Sequence, residues 1–220
     1  MRRDRNESLV IGSPVAQLRE GRLIRRFTQL AFGLVAYGVS MAFLVRSTIG
    51  VMPWDVLHQG LTRQVGLSLG FWSVITSLTV LLLWIPLRQL PGTGTVCNVF
   101  VIGVSVDVAL ALLPTMTELW AKVAFMVVGV LLNAVATAAY VGVRLGPGPR
   151  DGLMTGLTVR TKLPLRLIRT GIEVIVVAIG WLLGGTFGVG TAVYALLIGP
   201  LVQWLLPLVT VRPKRTDSAG

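Results

Sequence analysis

Three aspartates and one histidine are the groups in this chain best placed to do chemistry. Asp55 and His58 stand three residues apart in Pro53-Trp54-Asp55-Val56-Leu57-His58. On a helix that spacing puts both on one face, close enough to exchange a proton. Asp151 stands in a similar segment, Pro149-Arg150-Asp151. Asp107 lies inside a long apolar run, where a carboxylate is costly and usually faces a protein interior, a partner or water. Each group also has a plainer role. Asp55 and Asp151 in a first helical turn complement the helix dipole, and they can pair with Arg46, Arg144 or Arg150. A lone histidine is more often only a hydrogen-bonding group. Trp54 reads as an anchor at the membrane interface. One cysteine, Cys97, and one histidine are too few for a zinc site built from those residues. There is no G-x-S-x-G, H-E-x-x-H or G-x-x-x-x-G-K-[ST]. The sequence therefore gives no enzyme constellation and calls for no metal or cofactor.

The elements that must position these groups are set by composition. The chain has 220 residues, 54% hydrophobic and only 13% charged, with mean hydropathy +0.78. A soluble domain carries about 25% charged residues, so an ordinary water-soluble globule is excluded. The net charge of +11 does not point to nucleic acid, because the basic residues sit in tails and loops between apolar runs. About 20 apolar residues span the hydrocarbon core. Residues 27–45, 69–87, 95–113 and 123–143 qualify, with Asp107 the only charge among them. Residues 174–211 are uncharged for twice that length and are broken by Gly184-Gly185-Thr186-Phe187-Gly188-Val189-Gly190. Splitting there gives spans at about 165–183 and 191–208, six in all. With both termini in the cytoplasm, seventeen of the twenty Lys and Arg fall on that side, as positively charged inner loops require. Residues 1–26 read as a basic cytoplasmic segment, its first thirteen disordered. Residues 14–26 could lie on the membrane as an amphipathic helix or be solvated. Residues 210–220 read as a cytoplasmic tail.

Placing each residue beside the one 96 positions later uncovers an internal repeat. Residues 50–62 and 146–158 share G-x-x-P-x-D-x-L-x-x-G-L-T, and 23 of 87 positions match between 27–113 and 123–209. Each unit holds three spans, an odd number, so the second enters the membrane upside down. That is the inverted-topology repeat of many secondary transporters. The expected fold is all-α: six transmembrane helices as a 3+3 inverted repeat, plus two short motif helices starting at Pro53 and Pro149. Proline suits the first helical position. These helices could lie at the interface or dip inward, and backbone at depth is tolerated only under cover of protein or water.

Polar residues also pair across the repeat: Tyr37 with Asn133, Asn98 with Tyr194, and Asp107 with Gln203. They read as a shared polar interior or as hydrogen bonds that hold the bundle, about 1 kcal/mol each. Asp55, His58, Asp107, Asp151, Asn98, Asn133, Tyr194 and Gln203 are thus the candidate pathway residues. If the motif helices point their N-termini inward, the aspartates weaken that positive field. The sequence then favours a cation, a proton or a polar neutral solute over a simple anion.

The segments Pro53-Trp54-Asp55-Val56-Leu57-His58-Gln59-Gly60-Leu61 and Gly146-Pro147-Gly148-Pro149-Arg150-Asp151-Gly152-Leu153-Met154 resemble the signature segments of the YczE/YyaS-like family of bacterial membrane proteins, related to the YitT group. The resemblance covers roughly 27–209. It implies a bacterial cytoplasmic-membrane protein of five or six helices without a settled activity, and it transfers no catalytic or substrate residues. Two functions fit the residues. One is a small-solute transporter or exporter working by alternating access. The other is a membrane accessory or scaffold protein that moves nothing. The expected partners are the lipid bilayer, an unidentified small solute and, as an open question, further copies of the chain. A polar cavity between the units separates the first function from the second, which needs only a closed apolar core.

Overall fold

The computed structural model describes residues 22–211. The N-terminal basic segment up to residue 21, including most of the amphipathic stretch, and tail residues 212–220 lie outside the described residues. Within them every regular element is an α-helix, and there are eight: α1 Leu23–Ser47, α2 Pro53–Val65, α3 Leu69–Leu87, α4 Thr93–Leu112, α5 Leu119–Gly142, α6 Pro149–Thr161, α7 Leu165–Leu182 and α8 Val189–Val209. Five of them, α1, α3, α4, α5 and α8, are long and apolar enough to cross a membrane. The sixth expected span is helical as α7, but its 18 residues include Arg166, Arg169 and Glu173, so it has no charge-poor stretch of spanning length as the other five have. The glycine-rich run separates α7 from α8, and Gly184 takes a left-handed φ of 92° there.

The two motif helices begin as proline and aspartate dictate. Pro53 and Pro149 open α2 and α6, with Asp55 and Asp151 in the first turns. Neither helix lies on the surface. Pro53 through Val56 are buried, and so are Pro149 and Gly152 through Met154.

The core forms where α1 packs along α5, with α4 on the far flank of α1 and α8 on that of α5. Small residues bring the backbones together. Gly33 meets Tyr140, and Gly129 meets Leu44. Leu34, Met41, Leu44, Ala134 and Val143 fill the space between. The motif helices cross over: α2 packs on α7, and α6 packs on α3. Gly180 receives the backbone of Val56 and Leu57, while Gly152 receives the indole of Trp84.

Many contacts come in pairs 96 residues apart. Gly190 N–H donates to Ile49 O at 2.9 Å, and Gly94 N–H donates to Leu145 O at 2.8 Å. Thr191 Oγ1 accepts from Val51 N–H at 3.1 Å, while Thr95 Oγ1 donates to Pro147 O at 2.7 Å. The left-handed residues Thr48, Gly50, Gly66 and Arg88 match Arg144, Gly146, Lys162 and Gly184. One pairing fails. α3 packs along α4, with Gly70 against Gly103 O, but α7 and α8 are not packed together in this way.

Candidate functional site

The starts of the two motif helices meet in the interior. Arg150, the first residue after Pro149, lays its guanidinium over the Trp54 ring at 4.8 Å. Its Nη2 is 3.5 Å from His58 Nε2. His58 is fully buried and held from its other nitrogen by Asp55 Oδ1 at 3.0 Å, with Thr76 Oγ1 at 2.8 Å from Nε2. The Asp55 carboxylate accepts from Nδ1–H, and Nε2 faces both Arg150 and the Thr76 hydroxyl. The second Asp55 oxygen is buried without a hydrogen-bond partner. On the other motif helix, Asp151 Oδ2 accepts from Tyr140 O–H at 2.7 Å. Neither aspartate forms an ion pair with arginine: among the described residues the arginine–carboxylate pair is Arg169–Glu173.

A cavity of about 620 Å³ runs from the exposed Arg144 to this meeting point. Its walls include Tyr37, Ser73, Asn98, Tyr140, Arg150, Asp151, Thr155 and Tyr194, with Arg169 and Gln203 on the α7 and α8 side. The wall is tied together by hydrogen bonds. Tyr194 O–H donates to Asn133 Oδ1 at 2.8 Å, and Asn133 Nδ2 donates to Ser40 Oγ at 2.8 Å. Trp84 Nε1–H fixes the start of α6 by donating to Pro149 O at 3.0 Å. Arg169 and Glu173 close at 2.9 Å, the i, i+4 pair their spacing allows.

Of the sequence candidates, Asp151, Asn98, Tyr194 and Gln203 line the cavity. Asn133 lies one hydrogen bond behind Tyr194, and Asp55 and His58 lie behind Arg150. Asp107 is elsewhere. Its Oδ2 accepts from Ser68 O–H at 2.6 Å and its Oδ1 from Gly70 N–H at 2.8 Å, so it caps the free N–H groups at the start of α3. It borders a second, more open recess of about 520 Å³ with Arg46, Gln59 and Arg63. Trp54 is 8% exposed and packs against Arg150. This corrects its reading as an interfacial anchor, because the helix that carries it is buried inside the bundle. Arg150 itself was not a sequence candidate. The signal was present in the repeat: at the position of Trp54 the second motif carries arginine, and the two residues stack on each other.

The chain matches the family described as "Family of unknown function (DUF6198)" over residues 24–207. It is 37% identical over 184 residues to an uncharacterised protein of Haemophilus influenzae, covering 84% of each chain. It is 33% identical over 188 residues to the uncharacterised membrane protein YczE of Bacillus subtilis, covering 84% of this chain and 87% of that one. The uncharacterised protein YyaS of the same organism is 23% identical over 188 residues, covering 84% of this chain and 94% of that one. No solved structure matches. The chain belongs to this family of unknown function, within which it is YczE/YyaS-like, and it is a multi-pass membrane protein.

Proposed function

We propose that this member of the family is a small-solute transporter of the bacterial cytoplasmic membrane, working by alternating access between two inverted repeats. The units are residues 27–113 and 123–209. Each has three crossing helices and one motif helix that enters and ends inside, with α7 as the sixth crossing. The charges of α7 face the cavity or reach the membrane surface, where long basic side chains put their charge in water. Both termini lie in the cytoplasm, with residues 1–26 and 210–220 as basic cytoplasmic ends.

Support for the two-fold comes from the reciprocal contacts. A contact between i and j recurs between i+96 and j−96, as in a self-complementary interface. Val56 on Gly180 becomes Gly152 under Trp84, the large and small partners exchanged. Trp54 and Arg150 occupy equivalent positions and touch, which supports an axis between them. With an odd number of crossings per unit, that axis lies in the membrane plane. The observation that carries function is the cavity. Arginine, aspartate, tyrosine and asparagine side chains stand among its apolar lining, and it reaches from the exposed Arg144 to Arg150 between the two units. A scaffold has no use for it.

The test is solute flux in vesicles carrying the purified full chain. Gly199 borders the cavity, and a side chain added there meets nothing within 4 Å. Gly199→Trp should plug the cavity and abolish a flux seen with the wild type, while Gly199→Ala, which carries the same strain before Pro200 without the bulk, should keep it. A broad solute panel that never moves faster than through protein-free vesicles sinks the transport reading and favours the scaffold.

A further inference from the structure

The charges on the cavity wall are unbalanced. Arg144, Arg150 and Arg169 line it, against one carboxylate, Asp151. Arg169 is neutralised by Glu173. Asp151 already has one oxygen taken by the Tyr140 hydroxyl. Arg144 forms no ion pair among the described residues and stands at the mouth. Arg150 forms none either, although it sits at the inner end, half-buried, between the Trp54 ring and His58 Nε2.

A guanidinium drawn into a protein interior normally gains a carboxylate, because desolvation is otherwise uncompensated. Asp55 is close in sequence to Trp54, but one of its oxygens is committed to His58. The aromatic face beneath Arg150 balances part of the charge and leaves the rim of the guanidinium plane for a planar acceptor. Arginine presents that rim as a fork matched to carboxylate and phosphate oxygens. A site of about 620 Å³ is within the range that encloses small organic ligands, about 300–1,000 Å³. The tyrosine hydroxyls and the Asn98 amide around it can hydrogen-bond a polar body.

We infer that the cavity binds a small organic anion, with Arg150 as the residue that takes its carboxylate or phosphate group and Arg144 as the charge that draws it in. This reverses the preference for a cation that the motif aspartates alone suggest: Asp55 is not part of the cavity lining, and Asp151 has one oxygen on the Tyr140 hydroxyl. The inference rests on the transporter reading for the cavity's purpose but concerns binding alone.

The experiment uses the purified full chain in detergent and follows its thermal midpoint against acetate, succinate, inorganic phosphate and glycerol 3-phosphate, with tetramethylammonium and glycerol as cationic and neutral probes. At least one anion should raise the midpoint saturably. Arg150→Gln should weaken that binding about tenfold or more, the scale of a lost hydrogen bond to a charged group. Arg150→Lys keeps the charge without the fork and should fall between, covering the case in which Gln fails to fold. Arg160→Gln, which removes the same charge outside the cavity, should bind as the wild type does. Preference for carboxylates over phosphates, or the reverse, identifies the head group. Saturable stabilisation by tetramethylammonium alone, by none of the four anions, or equally in Arg150→Gln overturns the inference. Anion binding without flux sinks only the transport reading. Flux of a cation that Arg150→Gln leaves unchanged sinks only this one.

Discussion

Asp107 and Gln203 stand 96 residues apart, near the ends of α4 and α8, and their surroundings differ. Asp107 is locked to Ser68 and Gly70, pinning the start of α3 to α4. Gln203 makes no such bond and looks onto the open cavity. The sequence explains the asymmetry. The counterparts of Ser68 and Gly70 are Pro164 and Arg166. Proline has neither hydroxyl nor N–H to donate, and arginine is too large for the glycine seat. The contact that closes α3 on α4 therefore has no equivalent between α7 and α8. The lesson is that the matched halves share a scaffold but not a lock. Under the proposed mechanism the closed side is held by hydrogen bonds, and the side that opens is held by little.

The sharpest way to break this comparison is at Gly70. A methyl there would overlap Gly103 O and the Asp107 carboxyl. Backbone cannot move aside as a side chain can. Gly70→Ala should cost about 3 kcal/mol, the upper end of overpacking, seen as a large fall in the thermal midpoint. Its counterpart Arg166 is exposed at the start of α7, and Arg166→Ala should stay within about 0.5 kcal/mol. Equal losses at the two positions would show that α7 is as tightly held as α3. Asp107 comes next. Asp107→Ala removes two hydrogen bonds to a carboxylate and should cost about 2 kcal/mol, whereas Asp107→Asn keeps an acceptor for Gly70 N–H and should cost about half that. A Gln203→Ala variant as unstable as Asp107→Ala would refute the idea of a lock on one side only.

Much of this was legible in the residues. Apolar runs fixed five spans, and the shared G-x-x-P-x-D pattern located both motif helices, because proline and an acidic first turn leave little choice of start. Asn98 and Tyr194 were legible as interior polar groups because apolar surroundings leave such groups few alternatives, and Asp151 was legible from the repeated motif. Three features were not legible. Arg150 looked like loop charge, since its burial depends on Trp54 from a helix 96 residues away. Trp54 looked like an interfacial anchor, since amphipathic indoles favour that position and nothing local shows that α2 is covered. For Asp107 the carboxylate in an apolar run left a pathway role and a structural role equally open, and nothing local chose between them. Its actual use as a cap depends on where the start of α3 falls across the helix pair, a matter of packing rather than pattern.

The smallest effect separates the two sides most cleanly. Gly103 and Gly199 are identical residues at matched positions, so apart from Pro200 after Gly199 the difference between them lies in what surrounds them. A Cβ at Gly103 would lie 2.6 Å from Val74 Cγ2 and 2.9 Å from Gly70 O. The first partner can rotate and the second cannot, so Gly103→Ala should cost about 1–2 kcal/mol. A Cβ at Gly199 meets nothing within 4 Å. The gain from removing a helix glycine there is opposed by Pro200, which disfavours helical geometry in a non-glycine residue before it, so Gly199→Ala should stay within about 0.5 kcal/mol. Gly199→Cys, with Cys97→Ser to leave a single thiol, should react with a membrane-impermeant maleimide from the cytoplasmic side of inside-out vesicles, because the cavity reaches the surface at Arg144. Gly103→Cys should react from neither side. Labelling of Gly199→Cys only from the outside would invert the proposed orientation. Labelling of Gly103→Cys as fast as Gly199→Cys would mean that α3 and α4 part as readily as α7 and α8, and the difference between the two sides would then be lost in the membrane.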